Sequence, residues 1–362
     1  MIWDFGFLIV ISLLLFFTLS QKNLLFFRQQ EAFPSSDVLS ERIVKMTLQE
    51  KIGCLVMSVP DGVELSQAGG YFLLSKNIDS PDQLKNLIAT ANGLREDLLI
   101  AVDQEGGKVS RIPWIDSTPQ IEIANETEAY RIAKERGEEL KKLGVNMNFA
   151  PVLDQVWLSN SFIGQQGRFF KGDVGPPARL DSARRAGEAG KLGAAMIRGY
   201  LDAGIIPVAK HFPGGLGRTS QDPHLVLPSI SITREELDKD LEPFKKAIEA
   251  SVPAIMATHL VYPNIDKVPV SRSKKFLTDI LRQELGFKGV IMVDDLSMGA
   301  VKNNYGVGEY AVQSILAGAD LLLVASENDH LEILQSLKLA VERGELPEER
   351  IDQSLERRRS LN

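Results

Sequence analysis

The sequence has few cysteines, few histidines and no surplus of positive charge. Its one cysteine, Cys54, excludes a disulfide within the chain. Four histidines are too few to fill a His-rich metal cage, so we expect no metal site. With 41 Lys and Arg against 48 Asp and Glu, the net charge of −7 argues against nucleic acid as a partner, because phosphate binding needs a basic surplus. The 44% apolar and 25% charged residues are ordinary for a globular protein and exclude a disordered, fibrous or polytopic membrane chain.

An uncharged, predominantly apolar run lies near the N-terminus, at Phe5–Leu19. It is short for a membrane-spanning helix, which needs about 20 residues, and fits the core of a signal peptide. No Lys or Arg precedes it, and this asymmetry is also compatible with a cytoplasmic body. We expect residues 1–30 to be a signal peptide or an N-terminal membrane anchor. The protein is then exported, periplasmic or extracellular, or attached to a membrane. The alternative is a hydrophobic extension that docks elsewhere.

From residue 50 onward, short apolar runs alternate with longer amphipathic segments. The eight apolar runs are Ile52–Ser58, Gly70–Ser75, Leu98–Asp103, Val145–Pro151, Ile206–Phe212, Ala254–Val261, Gly289–Asp294 and Leu321–Ala325. The helical patterns between them include Ser80–Leu94, Glu126–Leu143, Ala183–Ala203, Arg234–Ala250, Lys274–Leu285 and Gly308–Ala317. Near-continuous apolar strands separated by helices indicate a parallel sheet covered on both faces. Eight such units predict an α/β fold, a closed (β/α)8 TIM-type barrel forming a single catalytic domain over residues 38–362. A doubly wound open sheet is the alternative.

Several of the apolar runs end in charged or hydrogen-bonding residues. These ends are Asp103-Gln104-Glu105, Asp154, Lys210-His211, Thr258-His259 and Asp294-Asp295. A single carboxylate at such a place is usually a helix cap. In a barrel, however, the carboxyl ends of all strands meet at one face, where active sites lie. Polar groups at five strand ends therefore predict an active site at that face.

Several segments, in order along the chain, resemble glycoside hydrolase family 3, in its single-domain β-N-acetylhexosaminidase branch. They are Met46–Ile52, Ala101–Arg111 with Asp-Gln-Glu-Gly-Gly, Gly144–Asp154, Lys210-His-Phe-Pro-Gly214, Asp222-Pro-His224 and Glu284–Met298. The resemblance covers the chain from about residue 40 to 325. It implies a retaining exo-β-N-acetylglucosaminidase that acts on peptidoglycan-derived fragments. The expected partner is a carbohydrate, a muropeptide or oligosaccharide that contains N-acetylglucosamine. We expect a monomer that needs no cofactor.

The resemblance also implies which residues carry the chemistry. Asp294 is the expected nucleophile, forming a covalent glycosyl intermediate. His224 is the expected acid and base, paired with Asp222, because imidazole exchanges protons near neutral pH and a carboxylate orients its ring. The expected sugar-binding residues are Asp103, Arg111, Arg168, Lys210 and His211, which supply hydrogen-bond donors and acceptors.

Some neighbouring residues are open to more than one interpretation. Arg168 matches a family arginine at a spacing about two residues longer than usual, and a surface arginine is the alternative. Asp295 is expected to cap the next helix or to brace the loop. His259 is expected to line the site or to be a buried structural histidine. We expect His330, at the start of a polar helix, to face solvent.

The sequence departs from the family pattern just before the expected acid. Where the family has His-Gly-Asp-Thr after Lys-His-Phe-Pro-Gly, this chain has Gly215-Leu-Gly-Arg-Thr219. The added glycines predict a more flexible loop. Arg218 is expected to meet an anionic substituent, such as the carboxyl of a muramic acid, or else to be an exposed loop charge. Pro223 should stiffen the turn that precedes His224.

Two other functions remain as alternatives. A β-glucosidase or β-xylosidase of the same superfamily typically carries its acid on an additional C-terminal domain. Only 37 residues follow Ala325, so we expect no such domain. A catalytically silent sugar-binding barrel is the third interpretation, and the presence of both Asp294 and His224 argues against it.

Overall fold

The structure is a computed structural model that describes residues 36–60, 68–94, 97–171 and 182–361. The chain divides after Met46 into two units. The first contributes helix α1, Ser36–Lys45, and the second contains the barrel. The apolar run Phe5–Leu19 lies outside the described residues, so the predicted signal peptide or anchor stays a prediction.

The barrel unit contains strands of very different lengths. In chain order they are β1 Val56–Ser58, β2 Gly70–Leu73, β3 Leu99–Val102, β4 Gln104–Gly106, β5 Val109–Ser110, β6 Met147–Asn148, β7 Ile206–Phe212, β8 Ala254–Ala257, β9 Val261–Tyr262, β10 Asp266–Pro269, β11 Val290–Val293 and β12 Leu321–Val324. Eight of them form a closed parallel barrel in the order β1-β2-β3-β6-β7-β8-β11-β12. Strand β12 pairs with β1, with Val56 opposite Leu322, and this pairing closes the ring. The predicted (β/α)8 fold class is confirmed.

Helices connect the barrel strands, and the longer ones cover the outside of the barrel, as in other parallel barrels. They are α2 Leu48–Gly53, α3 Pro81–Leu94, α4 Glu126–Leu143, α5 Phe162–Gln166, α6 Ser182–Asp202, α7 Arg234–Glu249, a π-helix Lys275–Glu284, α8 Gly299–Lys302, α9 Val307–Ala317, α10 Glu327–Glu342 and α11 Glu348–Arg359. Within the described ranges, no helix has the length and apolarity needed to cross a bilayer.

The first strand starts later than the sequence pattern predicted. Ile52 belongs to α2, because the Thr47 side chain accepts the Glu50 backbone N–H at the start of that helix and the Glu50 carboxylate accepts the Thr47 backbone N–H. The apolar run therefore turns from helix to strand within a few residues. Two short antiparallel hairpins, β4–β5 and β9–β10, were also not predicted, since strands of two to four residues leave little periodic signal.

Candidate active site

Two carboxylates at the barrel mouth continue the inward-facing rows of their strands. Ala101 of β3 and Met292 of β11 belong to the buried barrel interior. Strand side chains alternate between faces, so Asp103 and Asp294, two residues further along, keep the same inward phase. Asp295 has the opposite phase. The pleat therefore presents Asp294, rather than its neighbour, to the mouth of the barrel.

Lys210, near the end of β7, connects the acidic groups that follow β3. Its Nζ lies 2.5 Å from Asp103 Oδ1 and 2.6 Å from Glu105 Oε1. Burial lowers the pKa of Lys210, but the negative charges of Asp103 and Glu105 outweigh it and raise the pKa above the ordinary lysine value. Arg111 approaches the other oxygen of Asp103 at 3.7 Å. The structure thus brings Asp103, Arg111 and Lys210 together in one charged cluster.

Glu105 contacts this cluster through Lys210, and from the sequence it was predicted only as part of a polar strand end, without a role of its own. Arg168 binds it through two parallel hydrogen bonds, from Nε to Oε2 at 2.7 Å and from Nη2 to Oε1 at 2.8 Å. Burial would raise the pKa of Glu105, but Arg168 and Lys210 hold it well below its usual range. At 8% exposure Arg168 is not a surface residue, so that alternative was wrong. The signal for Glu105 was its strand phase, which matches that of Asp103.

Gln104, between these two acids, has the opposite phase and holds the β4–β5 hairpin. Its Oε1 accepts the backbone N–H groups of Arg111 and Ile112 at 2.9 and 3.0 Å. Its Nε2 donates to the Ile112 carbonyl at 3.2 Å. These bonds fix the backbone that carries Arg111 beside Asp103.

His211 is oriented by Asp154, which lies six residues after the end of β6. Asp154 Oδ2 accepts both the backbone N–H of His211 at 3.0 Å and its ring Nδ1–H at 2.7 Å. Because a carboxylate only accepts, Nδ1 carries the proton. The other ring nitrogen, Nε2, lies 3.5 Å from Arg168 Nη2. The predicted sugar-binding residues Lys210, His211 and Arg168 are thus brought into one connected network.

Asp294 follows β11 and is partly exposed. Its Oδ1 accepts the backbone N–H of Asp295 at 2.9 Å. Burial would raise the pKa of Asp294, but its electrostatic interactions with His211 and His259, together with that N–H, lower it below the ordinary value. The carboxylate is therefore ionised at neutral pH, as a nucleophile must be.

The segment after Asp294 is braced by its neighbours. Asp295 Oδ1 accepts the backbone N–H groups of Ser297 and Ala325, each at 2.9 Å, which confirms the prediction that Asp295 braces the loop. His259 is buried, and its Nε2 lies 3.2 Å from the Asp295 carbonyl oxygen. Its Nδ1 lies 2.7 Å from Ser271 Oγ. Both ring nitrogens are thus engaged in holding this strand end, as expected for a structural histidine.

Asp222 and His224 form a hydrogen-bonded pair on an exposed loop. Asp222 Oδ1 accepts the His224 ring Nδ1–H at 2.6 Å and the His224 backbone N–H at 2.9 Å. The His224 side chain is 61% exposed, and its ring packs at 6.0 Å from that of Phe162. The carboxylate thus sets the ring orientation and leaves Nε2 open to a ligand.

This loop is attached to the helix start that follows the Asp294 strand. The backbone N–H groups of Gly299 and Ala300 donate to the carbonyls of His224 and Pro223 at 2.9 and 3.1 Å. A Cβ at Gly299 would lie 2.7 Å from the His224 carbonyl oxygen, so only glycine permits this approach. The His224 loop and the Asp294 segment are therefore one connected piece of structure.

Residues 47–361 match the family described as the glycosyl hydrolase family 3 N-terminal domain. The chain belongs to glycosyl hydrolase family 3. A protein named Beta-hexosaminidase from Nitrosomonas eutropha is 36% identical over 294 residues, which cover 77% of this chain and 80% of that relative. A protein of the same name from Pseudomonas aeruginosa strain LESB58 is 35% identical over 287 residues, 75% of this chain and 81% of the relative.

A solved structure adds a three-dimensional comparison. The family 3 β-N-acetylglucosaminidase from Paenibacillus sp. str. FPU-7 superposes with a TM-score of 0.77 at 34% identity. The match covers 87% of this chain and 63% of that one, so this chain spans less than two thirds of that protein's length. Within the described ranges, no three His, Cys, Asp or Glu side chains are grouped as metal ligands.

The segment that departs from the family 3 pattern does not behave as expected. Gly215–Arg218 forms a short 3-10 turn whose glycines are packed rather than free. A Cβ at Gly217 would lie 1.7 Å from the Gln155 carbonyl oxygen. Arg218 binds the buried Asp240 at 2.6 Å. The prediction of a more flexible loop was therefore wrong, because its glycines are packed. The prediction that Arg218 meets a ligand or solvent was also wrong, because this side chain is bound within the protein.

His330 is also placed differently from the prediction. It is fully buried in α10, and neither ring nitrogen has a hydrogen-bond partner in the part of the chain that the structure describes. Burial lowers the pKa of His330 to about 4. The polar residues next to His330 in the sequence led to the wrong prediction. His330 lies on the same helix face as the buried Ile333, Leu334 and Leu337.

Proposed function

We propose that this family 3 chain is a retaining exo-β-N-acetylglucosaminidase that releases β-linked N-acetylglucosamine from peptidoglycan-derived fragments. The observation that carries the proposal is the pairing of two elements. One is an ionised carboxylate, Asp294, at the barrel mouth, and the other is the Asp222–His224 pair on the loop attached just after it. The name of the relatives, Beta-hexosaminidase, supports the class of sugar.

In the first proposed step the glycosidic bond is exchanged for an ester. An Asp294 carboxylate oxygen attacks the anomeric carbon while the bond from that carbon to the leaving oxygen breaks. His224, protonated on both nitrogens, transfers its Nε2 proton to the leaving oxygen. Asp222 accepts the Nδ1–H throughout and stabilises the charged ring. The products are the free aglycone alcohol and a glycosyl ester of Asp294.

In the second proposed step water reverses these roles. Neutral His224 Nε2 takes a proton from water as its oxygen attacks the anomeric carbon. The ester bond breaks, which returns the Asp294 carboxylate and regenerates the protonated ring. Two successive inversions at the same carbon give net retention.

The charged cluster provides the proposed sugar subsite. The Asp103 carboxylate suits hydroxyl groups as an acceptor, while Lys210, Arg111 and His211 supply donors beside it. Arg168 has two of its guanidinium nitrogens bound to Glu105. Its proposed part in binding is therefore to keep that acid ionised under Lys210.

A comparison of two chromogenic substrates tests the proposal. We expect the purified chain to hydrolyse nitrophenyl β-N-acetylglucosaminide in clear preference to nitrophenyl β-glucoside, and to release the β-anomer of the sugar first, as proton NMR would show. Preference for the glucoside would favour a β-glucosidase. Sugar binding without turnover of either substrate would favour a silent barrel.

We further propose that residues 1–30 direct the protein to or through a membrane. The support is the apolar run Phe5–Leu19 alone. Cell fractionation and N-terminal sequencing of the mature protein test this. A soluble cytoplasmic protein that keeps its first residues would contradict it.

A further inference from the structure

The turn Gly215–Arg218 lies between two proposed site residues, His211 before it and His224 after it. It is also the segment in which this chain departs from the family pattern. The contacts that hold this turn therefore affect the positions of both histidines. The contacts of Arg218 identify a cluster that the proposed reaction does not use.

Arg218 takes part in a buried cluster with Trp157 and Asp240. Its Nε donates to Asp240 Oδ2 at 2.6 Å, and the Trp157 indole N–H donates to Asp240 Oδ1 at 2.6 Å. The guanidinium carbon lies 4.1 Å from the centre of the Trp157 ring. The Arg218 side chain is 11% exposed and Asp240 is fully buried. The ion pair and the cation–π contact thus bind the end of the turn to Trp157 and to α7, which carries Asp240.

The same turn carries a hydrogen bond into the sugar subsite. The backbone N–H of Leu216 donates to Asp154 Oδ1 at 2.9 Å. The other oxygen of Asp154 holds the ring and backbone of His211. A shift of the turn therefore changes the carboxylate that orients His211.

Backbone contacts of Gly217 connect the Arg218 cluster to Leu216, the preceding residue but one. The Gly217 carbonyl accepts the N–H groups of Trp157 and Leu158 at 3.0 and 3.1 Å. The close approach to Gln155 leaves no room for a side chain at Gly217. The turn is thus packed directly on the segment that follows Asp154.

We propose that Arg218 and Asp240 are a positioning pair for sugar binding: they hold the turn against Trp157 so that the Leu216 N–H fixes Asp154 and, through it, His211. The pair touches no sugar itself. The inference rests on the proposed function only in placing His211 at the sugar.

A double-mutant cycle between Arg218 and His211 tests this inference. Arg218→Met should lower kcat/KM about tenfold or more in the otherwise unchanged protein, because small misplacements of binding groups are costly. In an His211→Ala background the same change should have little further effect, because the group it positions is gone. Arg218→Lys, which keeps the charge, should recover part of the loss.

Arg282→Met is the matched control. Arg282 is another largely buried arginine that pairs with a buried aspartate, Asp320. Asp320 lies just before β12. Its loss should lower stability, while its effect on kcat/KM should be the same with and without His211. Equal, additive effects of Arg218→Met in both backgrounds would overturn the proposal.

A second measurement does not depend on activity. The chain has four histidines, so its imidazole nitrogens are resolvable by NMR after 15N-histidine labelling. Arg218→Met should shift the signals of His211 and leave those of His330 in place. Unchanged His211 signals would overturn the inference. Failure to hydrolyse the N-acetylglucosaminide would count against the proposed function and not against this inference. The double-mutant cycle between Arg218 and His211 is then run on whichever nitrophenyl glycoside the chain cleaves.

Discussion

At residues 294 and 295, two adjacent carboxylates have opposite pKa shifts. Asp294 is held below the ordinary value because its positive neighbours and a backbone N–H outweigh burial. Burial, reinforced by the charge on Asp294, raises the pKa of Asp295 to about 6, although two N–H donors oppose it. Strand phase separates them further, since only Asp294 continues the inward row. One position thus suits a nucleophile and the other a brace.

Replacing His224 by Ala should separate acid catalysis from nucleophilic attack. Turnover of a natural disaccharide should fall about 10²- to 10⁴-fold, because its leaving alcohol needs a proton. Formation of the glycosyl-enzyme from a dinitrophenyl glycoside, measured as a burst of phenol, should be largely spared. Asp294→Ala, the companion variant, should abolish both. An equal loss on both substrates in His224→Ala would show that the acid has been misassigned.

His330 should make the folded state sensitive to acid. Its pKa is about 4 in the folded protein and about 6.5 when unfolded, so the unfolded state takes up the proton first as pH falls. The free energy of unfolding should therefore decline between pH 6.5 and 4, by up to about 3 kcal/mol from this residue. Urea titrations of the wild type and His330→Leu across that range measure it. Identical slopes in the two proteins would contradict the assignment.

Among the elements, the short helix α8 links the two proposed catalytic groups. Its first N–H groups donate to the carbonyl oxygens of His224 and Pro223 in the loop, and the side chain of Asn303, just after the helix, donates to the Leu225 carbonyl at 2.9 Å. Lys302 ties the same helix to Asp329 of α10 at 2.9 Å. The position of the proposed acid therefore depends on a helix that begins five residues after the proposed nucleophile.

Gly299→Ala should displace the His224 loop and leave the barrel intact. The new Cβ would lie 2.7 Å from two loop carbonyl oxygens, so the loop must shift. We expect turnover of a natural disaccharide to fall about tenfold or more, with a smaller effect on a dinitrophenyl glycoside. Gly187→Ala in α6 is the control, because a Cβ there meets nothing within 4 Å. Equal losses on both substrates would show damage beyond the loop.

The sequence predicted the barrel strands better than it predicted the residues that support the proposed site from behind. All eight barrel strands were expected, because a strand buried on both faces is apolar throughout and leaves a clear run. Glu105 was named only as part of a polar strand end and given no role, and Arg218 was misplaced, for a different reason. Their roles depend on partners 63 and 22 residues away in the chain, and spacing along a sequence does not show which distant side chain fills a given place.

A buried carboxylate, that of Asp320, joins helix α11 to the barrel. Asp320 lies just before β12 and is fully buried. It accepts the Ile291 backbone N–H at 3.0 Å, the Ser354 hydroxyl at 3.0 Å and the Arg357 guanidinium at 2.9 Å. Arg282 binds it from the π-helix. Strand β11, helix α11 and the π-helix therefore share one anion as a common partner.

Asp320→Asn should destabilise the whole barrel without touching the proposed chemistry. The change leaves Arg282, Arg350 and Arg357 close together without their counter-charge, and a broken buried pair typically costs about 3–5 kcal/mol. The midpoint of urea unfolding should fall accordingly, while KM measured well below that midpoint stays unchanged. Glu348→Gln is the control, because Glu348 is half exposed and Lys51 keeps Asp352 as a second partner, so its cost should stay below about 1 kcal/mol. A similarly small loss in Asp320→Asn would mean that the apolar packing of α11, rather than this carboxylate, holds the C-terminal helix on the barrel.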